Sequence, residues 1–338
     1  MKRLPLQSPA YNYIEKSFAE WLDVLGYAEQ TTYSMPNYVR GLLHYIEQQG
    51  KTEVKHITKE LIKAYYYQHL KHRPNMLYHT GGLSNSHLNK HLQALYKFCD
   101  YLRQTGRLII PPLNIKQELR NNPTPAVLTE PEIKQLYQAC DQYPEGTQHR
   151  KPNWFYPAMA LRDKAMLTIY YSCGLRRNEG LHIELNDILW DKQLLYVRKG
   201  KNYKERFVPI NKTGIKHLEN YLYDARPLLI KQHKEERFFI NERGHPMKAQ
   251  SMLLRLNQLV SRTENITLQQ KEIGLHTLRH SIATHLLANG MKLERIKDFL
   301  GHTSLESTQI YTHLIEQEQA LWPQQPTTKQ NNLQYTWW

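Results

Sequence analysis

Four prolines, Pro111, Pro112, Pro123 and Pro125, fall among polar residues between positions 107 and 128. Proline fixes φ and lacks a backbone N–H, so neither a long helix nor a central strand is expected to run through such a stretch. No single amphipathic face survives across it either. The chain is therefore predicted to fold as two bodies joined by a proline-rich linker at 107–128. Its 338 residues are enough for two domains with separate cores.

Upstream of the break, over 1–106, the apolar pattern is helical. Ile14, Phe18, Leu22 and Leu25 recur at helical spacing in 11–26, and Val39, Leu42, Leu43 and Ile46 do the same in 37–48. The stretch 58–71 is a third candidate. In 83–106 Leu88, Leu92, Leu95, Phe98 and Leu102 form one stripe, with Gly106 as the stop. Lys90, Lys97 and Arg103 lie off that stripe, where they can face phosphate. An all-helical bundle is predicted.

Downstream, Thr129-Glu130-Pro131-Glu132 reads as a capping box that opens a second domain over 129–322. Helices are predicted at about 157–172, 212–226, 248–262, 276–289, 293–300 and 304–321. LLYVRKGKNYKERFVPI, 194–210, reads as a hairpin around a basic turn, and RFFI, 237–240, as another strand. The fold class is thus mainly α with a small β-sheet. The polar tail 323–338 ends in Trp337 and Trp338 and is expected to be mobile when the protein is alone.

No run of 18 apolar residues is present, so no membrane-spanning helix is expected. The stretch MKRLPLQSPAYNY has no apolar segment after its basic residues and does not read as a signal peptide. Cys99, Cys140 and Cys173 are far apart and form no CxxC pair, which fits buried thiols in a reducing cytoplasm. Formal charge is +14. Residues 1–126 carry 16 Lys and Arg against 9 Asp and Glu, and 127–338 carry 29 against 22, so each part is +7. A protein that grips a polyanion from two sides has this distribution, and so does one with a merely solvated basic surface.

HTLRHSIATH, 276–285, sets His276 and His280 four apart, as zinc ligands on a helix would be. A catalytic zinc helix usually offers a glutamate beside the first histidine. Here Arg279 stands between the two, and its guanidinium would repel the ion. A packed helix rich in histidine is the alternative. Elsewhere, Arg176 follows a Gly-Leu turn with Glu179 one helical turn on, and the hairpin tip offers Lys199, Lys201 and Lys204. His302 precedes Tyr311 by nine residues. Together these types suit phosphoryl transfer without a metal. Two arginine forks cancel charge on nonbridging oxygens, and a tyrosine attacks phosphorus and keeps the bond energy as an ester. A lysine protonates the leaving 5′-oxygen, and a histidine assists proton movement.

The segments GLRRNE, HTLRH and LGH and the following Tyr311, in the order Arg, Lys, His-x-x-Arg, His, Tyr, resemble the tyrosine recombinases of the lambda-integrase family. Among them the chain is most similar to the Xer-like branch, over about 11 to 320. The resemblance implies a helical, SAM-like core-binding domain at the N-terminus and a mixed α/β catalytic domain. It implies Arg176 and Arg279 as the phosphate clamp, Lys201 as general acid, Tyr311 as nucleophile, and His276 and His302 as aids to hydrogen bonding and proton transfer. Glu179 would orient the site, and His280 and His285 fall where packing is expected. Lys90, Lys97, Arg103, Lys199 and Lys204 are candidate DNA contacts. The turn reads Gly200-Lys201-Asn202 where the family often has Gly-Lys-Gly. Further implied are double-stranded DNA as substrate, four protomers on two duplexes, a Holliday junction, C-terminal segments packed on neighbouring protomers, and no metal, nucleotide or other cofactor. A type IB topoisomerase and a non-catalytic DNA-binding protein are the alternatives.

Overall fold

The computed structural model describes residues 4–74, 82–119, 125–143, 151–198, 205–230 and 235–302, and residues 308, 309, 311 and 312. The chain divides into two compact units, Met1–Pro123 and Thr124–Trp338. The linker segment 120–124, the lysines of the hairpin tip and the tail 323–338 lie outside the described residues.

The first unit is helical. Helix α1, Pro9–Val24, has proline at its start and the Ser8 hydroxyl as its cap, accepting the Tyr11 N–H at 3.3 Å. It buries Ile14, Phe18 and Leu22, but Leu25 is exposed, because the helix ends at Val24 and leaves Leu25 beyond its apolar face. Helix α2, Glu29–Glu47, begins eight residues earlier than its apolar pattern predicts and runs through Pro36. Proline removes only one hydrogen bond from the ladder. Val39, Leu42, Leu43 and Ile46 are fully buried farther along the same helix, and Arg40 pairs with buried Glu15 of α1. Helix α3, Lys59–Ala64, continues as a wider turn through Leu70. Helix α4, Asn85–Gln104, is capped by Ser84 and buries the whole predicted stripe.

Part of the expected linker belongs to this unit. Leu113 and Ile115 are buried in its core, and the Tyr96 hydroxyl donates to the Ile115 carbonyl at 3.0 Å. The Asn89 amide binds both backbone groups of Glu118 at 2.8 Å. Extended, proline-rich backbone still buries apolar side chains when neighbouring side chains satisfy its polar groups.

In the second unit the capping box is formed: Glu132 accepts the Thr129 N–H at 2.7 Å at the start of α5, Glu130–Ala139. Helix α6, Phe155–Leu167, extends as a wide turn over Thr168–Ser172 and is apolar on most sides, as suits the centre of a core. Helix α7, Arg177–Leu181, leads to a small antiparallel sheet of β1, Ile188–Leu189, β2, Leu194–Val197, and β3, Arg206–Pro209, in that order. Leu195 of β2 pairs with Val208 of β3, and both point into the core. Helices α8, Lys212–Asn220, α9, Arg226–Leu229, α10, Ala249–Arg262, α11, Ile266–Gln270, α12, Leu275–Ala288, and α13, Leu293–Leu300, complete the unit.

The predicted strand at 237–240 is not one. Only isolated bridges form, Glu184 with Arg237 and Ile240 with Pro246. Phe238, Phe239 and Ile240 are all buried, without the alternation of a half-buried strand. Single backbone bonds run from the Phe238 N–H to the Ile183 carbonyl and from the Met247 N–H to the Phe239 carbonyl, and the Tyr221 hydroxyl donates to the Phe238 carbonyl at 3.2 Å and accepts the Ile240 N–H at 2.9 Å.

A candidate active site at the end of helix α13

The site is built on the unsatisfied carbonyls at the C-terminus of α13. A helix leaves its last carbonyls without partners, and their partial negative charge favours cations. Three arginines from three separate segments supply them. Arg206, first in β3, donates Nε–H to the Phe299 carbonyl at 2.9 Å. Arg279 of α12 donates from Nη2 to the Leu300 carbonyl at 2.8 Å, and from Nη1 to the Gly174 carbonyl at 2.6 Å. Arg176 reaches the Gly301 carbonyl from Nη2 at 2.8 Å and the Leu300 carbonyl from Nη1 at 3.3 Å.

Local backbone makes this approach feasible. Gly174 turns the chain before Arg176 with φ of +58°, and a Cβ there would stand 2.9 Å from Phe299 and 3.1 Å from Leu300. Arg176 caps α7, and its N–H donates to the Glu179 carboxylate at 2.8 Å. The same carboxylate receives Arg176 Nη1 at 2.8 Å and both Nη groups of Arg206 at 3.0 and 2.9 Å. Burial opposes the charge on Glu179, yet hydrogen bonds and charge from Arg206, and then Arg176, hold its pKa down at about 2.

Three guanidiniums thus share one carboxylate, and this group of four is two charges positive. The strain is visible on Arg279, only 3% exposed, whose pKa is pushed down to about 9 by burial and by the charge of Arg176. An anion placed against Arg176 and Arg279 would relieve it.

Tyr311 is buried beside this cluster. Its hydroxyl lies 3.2 Å from His280 Nδ1, and its ring stacks on His302 with 6.4 Å between centroids and 14° between planes. His302 Nδ1 lies 2.9 Å from the Thr308 hydroxyl. Burial raises the Tyr311 pKa, while the charges of Arg279 and Arg176 work the other way. His302 is pushed down to about 3, by burial and then by Arg279, and His280 to about 4, by burial and then by His276. Both are neutral at pH 7. His276 reaches the surface, and partial loss of solvent followed by the charges of Arg279, Arg177 and Arg176 lowers its pKa. The arrangement can hold an anion such as a phosphoryl group next to a tyrosine hydroxyl.

Of the residues singled out from the sequence, Arg176, Glu179, Arg279, His302 and Tyr311 converge here, with His276 close enough to feel the arginines. Lys199, Lys201 and Lys204 lie outside the described residues. Lys90, Lys97 and Arg103 are on α4 in the other unit. Lys90 is exposed, while Lys97 and Arg103 pair with Asp100 at 3.8 and 2.7 Å, so not all of their charge is uncommitted. His285 packs as expected, its Nδ1 2.9 Å from the Tyr171 hydroxyl. His280 does not merely pack, since it meets Tyr311. Arg206 went unremarked altogether. His280 lies one turn from His276, and that spacing already placed both on one helix face. Nothing in KERFVP announces a buried arginine.

A groove of about 990 Å³ opens elsewhere on this unit, lined by Tyr137, His217, Ile282, Leu286, Met291 and Phe299 among others.

Residues 126–318 match the phage integrase family. The tyrosine recombinase XerD of Halalkalibacterium halodurans is 31% identical over 289 residues, 84% of this chain and 87% of that one. XerD of Chlorobaculum tepidum is 34% identical over 241 residues, 70% and 73% of the two chains. Among solved structures, the XerH site-specific recombinase bound to a palindromic difH substrate, a post-cleavage complex, aligns with a TM-score of 0.62 at 19% identity, covering 94% of this chain and 96% of that one. A lambda integrase tetramer bound to a Holliday junction aligns at 0.58 and 14% identity, covering 89% and 78%. These likenesses establish the same mainly helical fold with its small sheet.

Proposed function

The chain belongs to the phage integrase family, and from that membership we propose how its residues carry out site-specific recombination. It is a tyrosine recombinase of the Xer-like branch, a DNA strand transferase. Arg176 and Arg279 take the two nonbridging oxygens of the scissile phosphate, and their charge stabilises the transition state where other enzymes use divalent ions. The Tyr311 oxygen attacks phosphorus, forming a 3′-phosphotyrosine and releasing a 5′-hydroxyl. Lys201 protonates that departing oxygen, and His276 and His302 supply hydrogen bonds around the phosphate. Glu179 orients the arginines. The ester stores the energy of the broken bond, so a 5′-hydroxyl from a second duplex can reseal it without a cofactor.

The observation that carries this reading is the meeting of Arg176 and Arg279 on the Leu300 carbonyl, with Tyr311 beside them, in a cluster with more guanidinium than carboxylate. Lys90, Lys97, Arg103, Lys199 and Lys204 serve as phosphate contacts on duplex DNA. Four protomers act on two sites in the bacterial cytoplasm, and each passes its C-terminal segment to a neighbour. The groove near Tyr137 and Phe299 has the apolar lining such a segment, rich in tryptophan at its end, would need.

Two labelled duplexes carrying the target site test the reading. The expected result is a four-stranded Holliday junction and then recombinant products. Relaxation of supercoiled plasmid with no junction would assign the site to a topoisomerase.

A further inference from the structure

The histidine next to the second arginine is not used by the mechanism above, and its position is unlike that of His285 on the same helix. His285 turns its Nδ1 to Tyr171, deep in the core and away from the arginines. His280, on the same helix α12, turns its Nδ1 to the Tyr311 hydroxyl at 3.2 Å. The two rings lie 5.7 Å apart at 52°, so the contact is made through the ring nitrogen and the hydroxyl, not by stacking. His302, whose ring is stacked on that of Tyr311, commits its Nδ1 to Thr308. Among the described residues, His280 is therefore the group whose nitrogen meets the nucleophilic oxygen.

We propose that His280 is a catalytic residue, which holds the Tyr311 hydroxyl and receives its proton through Nδ1 as the oxygen attacks phosphorus. The inference rests on the recombinase reading. In cleavage the Tyr311 O–H bond breaks, its oxygen bonds to phosphorus, and its proton forms an imidazolium on His280. The bond from phosphorus to the 5′-oxygen breaks, and that oxygen takes a proton from Lys201. In resealing the 5′-hydroxyl gives its proton to the Lys201 amine as its oxygen attacks phosphorus, the phosphotyrosine bond breaks, and the imidazolium returns its proton to Tyr311.

The surroundings suit a proton acceptor. Tyr311 is 1% exposed and water gives it little help in ionising, so its hydroxyl needs a partner. The groups facing His280 are His276 and Arg279 on its own helix, with His302 and the arginines Arg176 and Arg206 beyond Tyr311. Burial, followed by His276 and Arg279, lowers its basicity, which keeps Nδ1 unprotonated at neutral pH but makes it a weaker base while the site is empty. A bound phosphodiester would offset the arginine charges at the moment the proton arrives.

The test is single-turnover formation of the covalent adduct on a nicked suicide duplex between pH 6 and 9, with His280→Ala, His280→Asn and Tyr311→Phe beside the wild type. Asparagine offers an acceptor near Nδ1 but is not a base. With the base present, the wild-type rate should be flat. Both His280 variants should be about 10²-fold slower at pH 7, bind DNA normally, and speed up roughly tenfold per pH unit as hydroxide takes over. A flat profile at the wild-type rate, or a flat but slower one in both variants, would overturn the proposal. Adduct from Tyr311→Phe would instead overturn the recombinase reading beneath it. If His280→Ala fails to fold, His280→Asn alone decides, by its slope.

Discussion

The Glu179 carboxylate is hydrogen-bonded to both Arg176 and Arg206, and its removal takes negative charge out of a group of closely packed guanidiniums. Glu179→Gln should therefore destabilise the second unit by roughly 3–5 kcal/mol at pH 7. Its folded pKa, about 2, is below the ordinary 4.5, so its stabilising effect is complete above 4.5 and is lost as pH falls towards 2. Urea unfolding of the two proteins should show a gap at pH 7 that narrows by pH 3. An equal gap at both would mean that charge is not its source. At this scale the sequence displays the order and type of the charged groups but not the carbonyls that hold them. Arg206 illustrates the limit: its role depends on burial against Phe299 and Gly301, over 90 residues away.

Helix periods were legible wherever one face met the core, as in α4, whose entire stripe is buried. Ends were less so. Leu25 continues the pattern of α1 but falls past its last residue, and Pro36 does not stop α2 because the burial of Val39, Leu42, Leu43 and Ile46 beyond it outweighs one lost hydrogen bond. RFFI has strand composition, yet its backbone pairs only at single bridges, through the Phe238 N–H to Ile183 and the Met247 N–H to Phe239, and the Tyr221 hydroxyl takes up further groups. Gly301 shows how an element end serves the site. It takes φ of +66° to close α13, and a Cβ would lie 2.7 Å from Arg206 Nη1. Gly301→Ala is expected to cost roughly 1–2 kcal/mol from the left-handed backbone alone. It should also cut adduct formation at least tenfold by moving Arg206 off Glu179. A thermal melt and a cleavage time course check the two parts, and normal cleavage in a destabilised variant would separate Arg206 from the chemistry.

For the whole molecule, the even spread of positive charge, +7 on either side of residue 126, was readable from composition. The packing of Leu113 and Ile115 was not, since a linker and an extended segment lying on a core have the same composition. The central claim is that one tyrosine attacks DNA while arginines do the work of a metal. Its most direct measurement is the wild-type chain incubated with a nicked suicide duplex in EDTA, resolved on a denaturing gel and mapped by peptide mass. The account expects a 3′-phosphate ester on Tyr311, formed at the same rate with and without EDTA, and none from Tyr311→Phe. An ester on another residue such as Tyr335, or cleavage that stops in EDTA and returns with zinc, would contradict it.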